Sequence, residues 1–222
     1  MQAYHGSSQL KSEYLSRVMA HQAADEIVKG RYWEGGKGCA VGCTVHSSEH
    51  AAYETELGIP RVIARLEDGI FEGLSNEEAK LFPTQFLEAV PVGADLSGVF
   101  CRFMHWLLVD EIDGVIKFAR SEKSKKAISR VAELFLKQIR GQAVEIEEWR
   151  AADAATRATR AADAAATCAA DAAYAATCAA EAADAAACAA ACDAARQATR
   201  SRQKDKLLEL LRAAPVVIRE EK

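Results

Sequence analysis

AADAATRATRAADAAATCAADAAYAATCAAEAADAAACAAACDAA, residues 151–195, decides how the chain is read: 28 of these 45 positions are alanine. Alanine loses no side-chain entropy in a helix and is the best helix former. Neither glycine nor proline occurs from Gln142 to Ala214, so nothing in that span punctuates a helix. The remaining residues are phased. Asp153, Arg157, Arg160, Asp163, Thr167, Asp171, Tyr174, Cys178, Glu181, Cys188 and Cys192 recur at about one helical turn. The pattern leaves one polar stripe on a smooth alanine surface. It predicts a long alanine-rich, coiled-coil-like helix over 142–214, roughly 100 Å at 1.5 Å per residue. Helix propensity sustained over many turns argues against reading this low-complexity tract as disordered. A lone rod of this kind buries little, because alanine gains dispersion contact only at close backbone approach. A homo-oligomer formed through residues 151–199 is therefore expected. The bulky Leu207, Leu208, Leu210 and Leu211 of KLLELLRAAP form a different surface that should dock, and Pro215 ends the helix.

Working towards the N-terminus, the chain reads as amphipathic helices. Ser7 or Ser8 caps a first helix with Leu10, Tyr14, Val18, His21, Ala24 and Val28 on one face, and Gly30 ends it. GRYWEGGKGCAVGCTVHS reads as an ordered glycine-rich loop. A short helix from Ser47 or Ser48 closes at Gly58, and Pro60 opens the next, with Ile63, Leu66 and Ile70 buried. SNEE, Ser75–Glu78, is a capping box. Pro83 implies two short helices or one kinked helix up to Val90. LSGVFCRFMHWLLV, from Leu96, is apolar on nearly every side, as in a central buried helix. DEIDG is taken as a loop between helices rather than a hairpin, since a lone hairpin is marginal and no other strand is foreseen. A last amphipathic helix reaches Gly141. The expected fold is all-α, with a globular domain at 1–141, the long helix at 142–214 and a tail at 215–222.

Charge and cysteine content exclude several classes. The 28 basic and 32 acidic residues give a net charge of −4, with no global attraction to nucleic acid and no nucleic-acid-reading motif. Glu67, Asp68 and Glu72 look like a solvated acidic edge. Four of the seven cysteines sit in the alanine tract, so no disulfide framework is implied and a reducing compartment is expected. The N-terminus lacks the basic-then-apolar order of a signal peptide, and no apolar run is long enough for a bilayer. A cytoplasmic protein without membrane attachment is expected.

Chemistry concentrates in KGCAVGCTVHSSEH, Lys37–His50. Cys39, Cys43, His46 and His50, with Glu54 one turn beyond, are suitable zinc ligand types. On one continuous helix Cys39 and His50 would lie roughly 16 Å apart, so the chain must break, at Gly42 or a capping serine, before one ion could reach them. Alternatively, Cys39 or Cys43 is a nucleophile served by His46 or His50, its thiol lowered by Lys37 or a helix N-terminus. Cysteine in such a packed segment is more often a small buried hydrophobe. The functional reading favoured here is a ligand loop. Lys29, Arg31 and Lys37 would neutralise an anion, Tyr32 and Trp33 would stack on a flat ring, and glycines such as Gly38 would let backbone N–H groups approach. The glycine–lysine order is not that of a Walker loop. Against it stands a purely structural role, with the aromatics anchoring the loop. His21 and His105 read as core histidines.

GRYWEGGKGCAVGCTVHSSEHAAYETELGIPRVIARLEDGIFEGL, together with LEAVPVGADL, WLLVDEIDGVIKFA and the alanine tract, resembles an uncharacterised family of bacterial and phage hypothetical proteins. The resemblance implies a bacterial or viral cytoplasmic setting, in which such proteins often bind and block a host component. The expected function is thus a non-enzymatic, self-associating binding protein for a small anionic, nucleotide-like ligand or a host protein. The competing classes are a Cys/His enzyme, with or without zinc, and a structural rod.

Overall fold

The structure, a computed structural model, describes residues 1–119, 121–155 and 182–217; between 182 and 196 it describes the backbone alone. The chain is mainly α-helical, with one two-stranded sheet among the described residues. It divides into two compact units, Met1–Phe103 with the chain from Gln197 onward, and Met104–Arg196.

In the first unit, a short 3-10 turn at Ala3–Gly6 leads into α1, Ser8–Ala23, whose Ser7 hydroxyl accepts from Leu10 N at 3.2 Å. The helix ends seven residues before Gly30, the expected stop. Asp25 adopts φ 55°, which breaks the run, and the chain turns at once towards the sheet. Strands β1, Trp33–Glu34, and β2, Lys37–Gly38, pair antiparallel. The short α2, Ala40–Val45, and α3, Ala52–Leu57, follow; Gly58 closes α3 at φ 63°. Then come α4, Arg61–Phe71, entered through Pro60, and α5, Asn76–Ala89. The Ser75 hydroxyl accepts from Glu78 N at 3.2 Å, and the Glu78 carboxylate returns to that hydroxyl rather than to the backbone N–H. Pro83 is buried inside α5, which continues through it as one helix.

Helix α1 packs on α5, and α2 sits among α1, α4 and α5. Tyr53, Leu57, Ile63, Phe71, Phe82 and Phe86 make the fully buried centre. Each such side chain contributes about 1.5–3 kcal/mol relative to exposure. Helix α6, Val99–Val109, buries only Val99 and Phe103, so it is not the central helix its composition suggested. The fully buried centre is supplied by α3, α4 and α5 instead.

In the second unit, Asp110 Oδ1 accepts from Ile112 N and Asp113 N at 2.9 and 2.8 Å, so DEIDG is a loop, followed by a 3-10 turn at Val115–Phe118. Helix α7, Glu122–Ile139, is capped by Ser121 accepting from Ser124 N at 3.0 Å. After Gly141, residues 142–145 are not helical; helix α8 covers 146–155 within the described residues. Helix α9, Ala182–Arg212, runs from the second unit into the first.

The single rod over 142–214 thus starts later than expected. Its continuity, the phased residues Arg157–Glu181 and most of the surface assigned to self-association lie outside the described residues. The units also differ from the 1–141, 142–214 and 215–222 division. Leu207, Leu208 and Leu211 bury in the first unit, and Asp95 N donates to Pro215 O at 2.8 Å while Val217 N donates to Gly93 O at 3.1 Å. Bulky leucines bury where alanines cannot, and they carry the tail with them. Among the described residues, no helix is long and apolar enough to cross a membrane.

Candidate functional site

The glycine-rich segment, expected as an ordered loop, contains a hairpin. Gly35 and Gly36 both have positive φ, 59° and 82°, the pair of left-handed positions a two-residue hairpin turn requires. A lone hairpin is marginal, but this one is braced. Ile27 bridges Gly38 alongside, and Val28 N donates to Gly38 O at 2.8 Å. Cys39 N donates to Arg31 O at 2.6 Å. Gly38 and Gly42, four residues apart, let the Tyr32 carbonyl lie against bare backbone; a Cβ at either position would overlap that oxygen. Gly42 therefore sits inside α2 as a docking surface and does not break the chain there.

This packing sorts the expected ligand residues. Gly38 is buried and its N–H donates to Glu26 O at 3.1 Å. Gly30 N donates to the Glu72 carboxylate at 2.9 Å, so a protein carboxylate already occupies that backbone donor. Lys29 Nζ donates to Leu74 O at 2.8 Å. Arg31, Tyr32 and Lys37 remain exposed, with Tyr32 50% accessible and Arg31 paired to Glu34 at 3.4 Å. Trp33 is half-buried and stacks on His46, ring centres 4.4 Å apart and 13° from parallel.

Cys39, Cys43, His46, His50 and Glu54 do not gather around one point. Among the described residues, no three His, Cys, Asp or Glu side chains converge as a metal would need. His46 faces His21, with the two Nε2 atoms 2.8 Å apart; His50 Nε2 lies 3.2 Å from Asp68 Oδ2; Glu54 accepts from Arg61 N at 2.9 Å. The Cys43 thiol donates to Gly38 O at 3.3 Å. Burial pushes Cys43 up to about 11 and Cys39 up to about 12; for Cys39 the N–H groups of Gly42 and Val41 oppose the rise and the Asp68 carboxylate adds to it. Neither cysteine has the lowered thiol that a nucleophile at neutral pH requires.

Two groups escaped sequence reasoning. His21 is no sealed core residue: its Nδ1 lies 2.6 Å from Glu26 Oε2, its side chain is 14% accessible, and its ring meets Trp33 edge-on. Where α3 meets α4, fully buried Tyr53 donates to Glu67 Oε2 at 2.8 Å, while Glu67 Oε1 and Asp68 Oδ1 have no hydrogen-bond partner. Glu67 was taken for a solvated edge, yet it is fully enclosed, and desolvation holds its carboxyl well above the usual range. The strong amphipathic period of α4 could have revealed this, since Glu67 falls on the stripe of Ile63 and Ile70.

A cleft of about 370 Å³ lined by Asp25, Ile27, Val28, Lys29, Asn76, Ala79 and Lys80 lies in the same unit. Its two lysines are already engaged, Lys29 with Leu74 O and Lys80 with Asp25. No family model matches the chain, and neither does any curated protein or solved structure.

Proposed function

We propose that the protein is a non-enzymatic binding protein that holds a planar anionic ligand, nucleotide-like in chemistry, on the exposed face of the β1–β2 hairpin. The observation that carries this reading is Tyr32: a large ring left half in water on a backbone fixed at Gly38 and Gly42, in a segment that also exposes the cations Arg31 and Lys37. A pre-organised aromatic surface loses little entropy when a ring stacks on it, and flanking cations attract phosphate or carboxylate. Backbone donors contribute less than the sequence suggested, because Gly30 and Gly38 spend theirs internally. Self-association through residues 151–199 belongs to the same proposal, as does the sequestering of a bacterial or phage host component that the resemblance implies.

A nucleotide panel in a thermal-shift assay tests it, because a ligand that binds only the native state raises Tm. A shift lost in Tyr32→Ala and reduced in Lys37→Gln supports the reading; a shift unchanged in both overturns it.

The enzyme reading has one observation in its favour: Asp68 stands beside both His50 and the Cys39 thiol. The burial and raised pKa of that thiol weigh against it.

A further inference from the structure

Glu26, His21 and His46 form an unbroken line of polar atoms beside the hairpin. Glu26 Oε2 lies 2.6 Å from His21 Nδ1, and His21 Nε2 lies 2.8 Å from His46 Nε2. The two ring centres are 5.1 Å apart. They exceed the nitrogen separation by about two ring radii, so the nitrogens meet head-on as in a hydrogen bond, not side by side as on a shared metal. Hydrogen-bond chemistry then assigns every proton. An ionised carboxylate only accepts, so His21 Nδ1 carries a hydrogen. Neutral His21 has its lone pair on Nε2, so His46 Nε2 must donate. The bare nitrogen of exposed His46 is therefore Nδ1, and no hydrogen bond among the described residues reaches it.

We infer that Glu26, His21 and His46 act as a one-proton relay that turns the unengaged Nδ1 of His46 from a hydrogen-bond acceptor into a donor. An added proton cannot enter between the facing nitrogens, because two N–H groups would collide there. It bonds to His46 Nδ1. The His46 Nε2–H bond breaks as a His21 Nε2–H bond forms, and the His21 Nδ1–H stays on Glu26. One proton enters, both internal hydrogen bonds survive with the central one reversed, and the charge comes to rest on His21 against Glu26.

The surroundings favour that resting place. From α1, Arg17 opposes a positive charge on His46; it donates to Thr44 O at 3.0 Å and is paired to Glu13. From α3, Glu56 pulls the other way, but it also accepts from Tyr14 OH. From the hairpin, Trp33 covers one face of His46 without charge. Burial, then Arg17, then His21 hold the His46 imidazole below its usual range. The backbone of His46 is held at φ 52°, a left-handed conformation unfavourable for a side chain, where it caps α2. Strain of that kind persists only where the surroundings fix it.

The consequence rests on the ligand reading above. An oxyanion that reaches His46 as well as Arg31 and Lys37 meets an acceptor in the neutral relay and a donor in the protonated one. Phosphate or carboxylate should therefore bind with uptake of up to one proton, and tighten by up to tenfold per pH unit as pH falls through the relay's titration.

Nitrogen-detected NMR of the imidazoles in the full chain tests the relay without any ligand. The expected result at neutral pH is His21 protonated on Nδ1 and His46 on Nε2. On acidification the pair takes up one proton, His46 changes to the Nδ1–H form, and a second proton enters only at much lower pH. Glu26→Gln should lower the first step by about one unit or more, since the neighbouring anion is gone. Two independent titrations with no tautomer exchange would overturn the relay, as would a step unmoved in Glu26→Gln. Calorimetry with inorganic phosphate in buffers of different ionisation enthalpy tests the coupling. Binding without proton uptake overturns the coupling. No binding, with the tautomers as assigned, overturns the coupling and leaves the relay standing, while the ligand reading answers to the nucleotide panel above.

Discussion

At the scale of single residues, burial decides chemistry more than residue type does. Glu67 is sealed among apolar side chains with one oxygen on Tyr53 and the other unpartnered. Its carboxyl is held above the ordinary range by desolvation first, and then by the neighbouring Asp68. An acid raised in the folded state binds its proton more tightly there than when unfolded. Its contribution to stability is therefore full below the ordinary carboxyl range and is lost as pH rises towards the folded value. Glu67→Gln keeps an acceptor for Tyr53 and removes the ionisation, so this variant should melt higher than the parent at neutral pH and lose that advantage near pH 4, as read by thermal unfolding across a pH series. The two cysteines give a second expectation. Mass-spectrometric mapping after mild alkylation at neutral pH should find Cys39 and Cys43 spared until the protein unfolds; rapid modification of Cys39 would revive the thiol-enzyme reading. The sequence did draw attention to Cys39, Cys43, His46 and His50, because these types cluster within one short segment. It could not supply their partners. His21, Glu26 and Asp68 come from other elements, and no fixed spacing joins them to the cluster.

At the scale of elements, local rules worked where the signal was backbone chemistry. Ser7 and Ser75 cap the helices they precede, and Gly58 and Pro60 bound the helices they flank. They failed where a contact outvoted propensity. The hairpin is held because Gly38 of β2 and Gly42 of α2 both leave bare backbone against the Tyr32 carbonyl, and the approach to α2 is a tertiary contact. Gly42→Ala should displace the hairpin, lower Tm by several degrees and quench or shift Trp33 fluorescence as the ring leaves His46; an unshifted spectrum with parental Tm would show that the hairpin does not depend on this approach. Pro83 gives the reverse lesson. A residue that normally breaks a helix is kept inside α5, where Phe82, Phe86 and Leu87 are also buried; the burial of that face offsets a penalty of about 3 kcal/mol.

At the scale of the whole molecule, the C-terminal leucines belong to the first unit. Leu207→Ala with Leu211→Ala removes two buried side chains, each worth roughly 2–5 kcal/mol, and should lower Tm sharply in thermal unfolding. Light scattering of the full chain checks the proposed self-association, for which a mass of one chain at all concentrations would be the contrary result. The helical class, the Ser7 and Ser75 caps, the lack of a membrane-crossing helix among the described residues and the segment where polar chemistry gathers were legible in the sequence, because each follows from composition or from neighbours a few residues apart; the start of α3 was not, since it opens at Ala52 without a serine cap. Only the tertiary structure decided that the glycine-rich segment is a braced hairpin, that Glu67 is enclosed, and that His21, Glu26 and His46 meet. Those outcomes depend on which surfaces touch across long stretches of chain, and the energies of such contacts are not written in any local pattern.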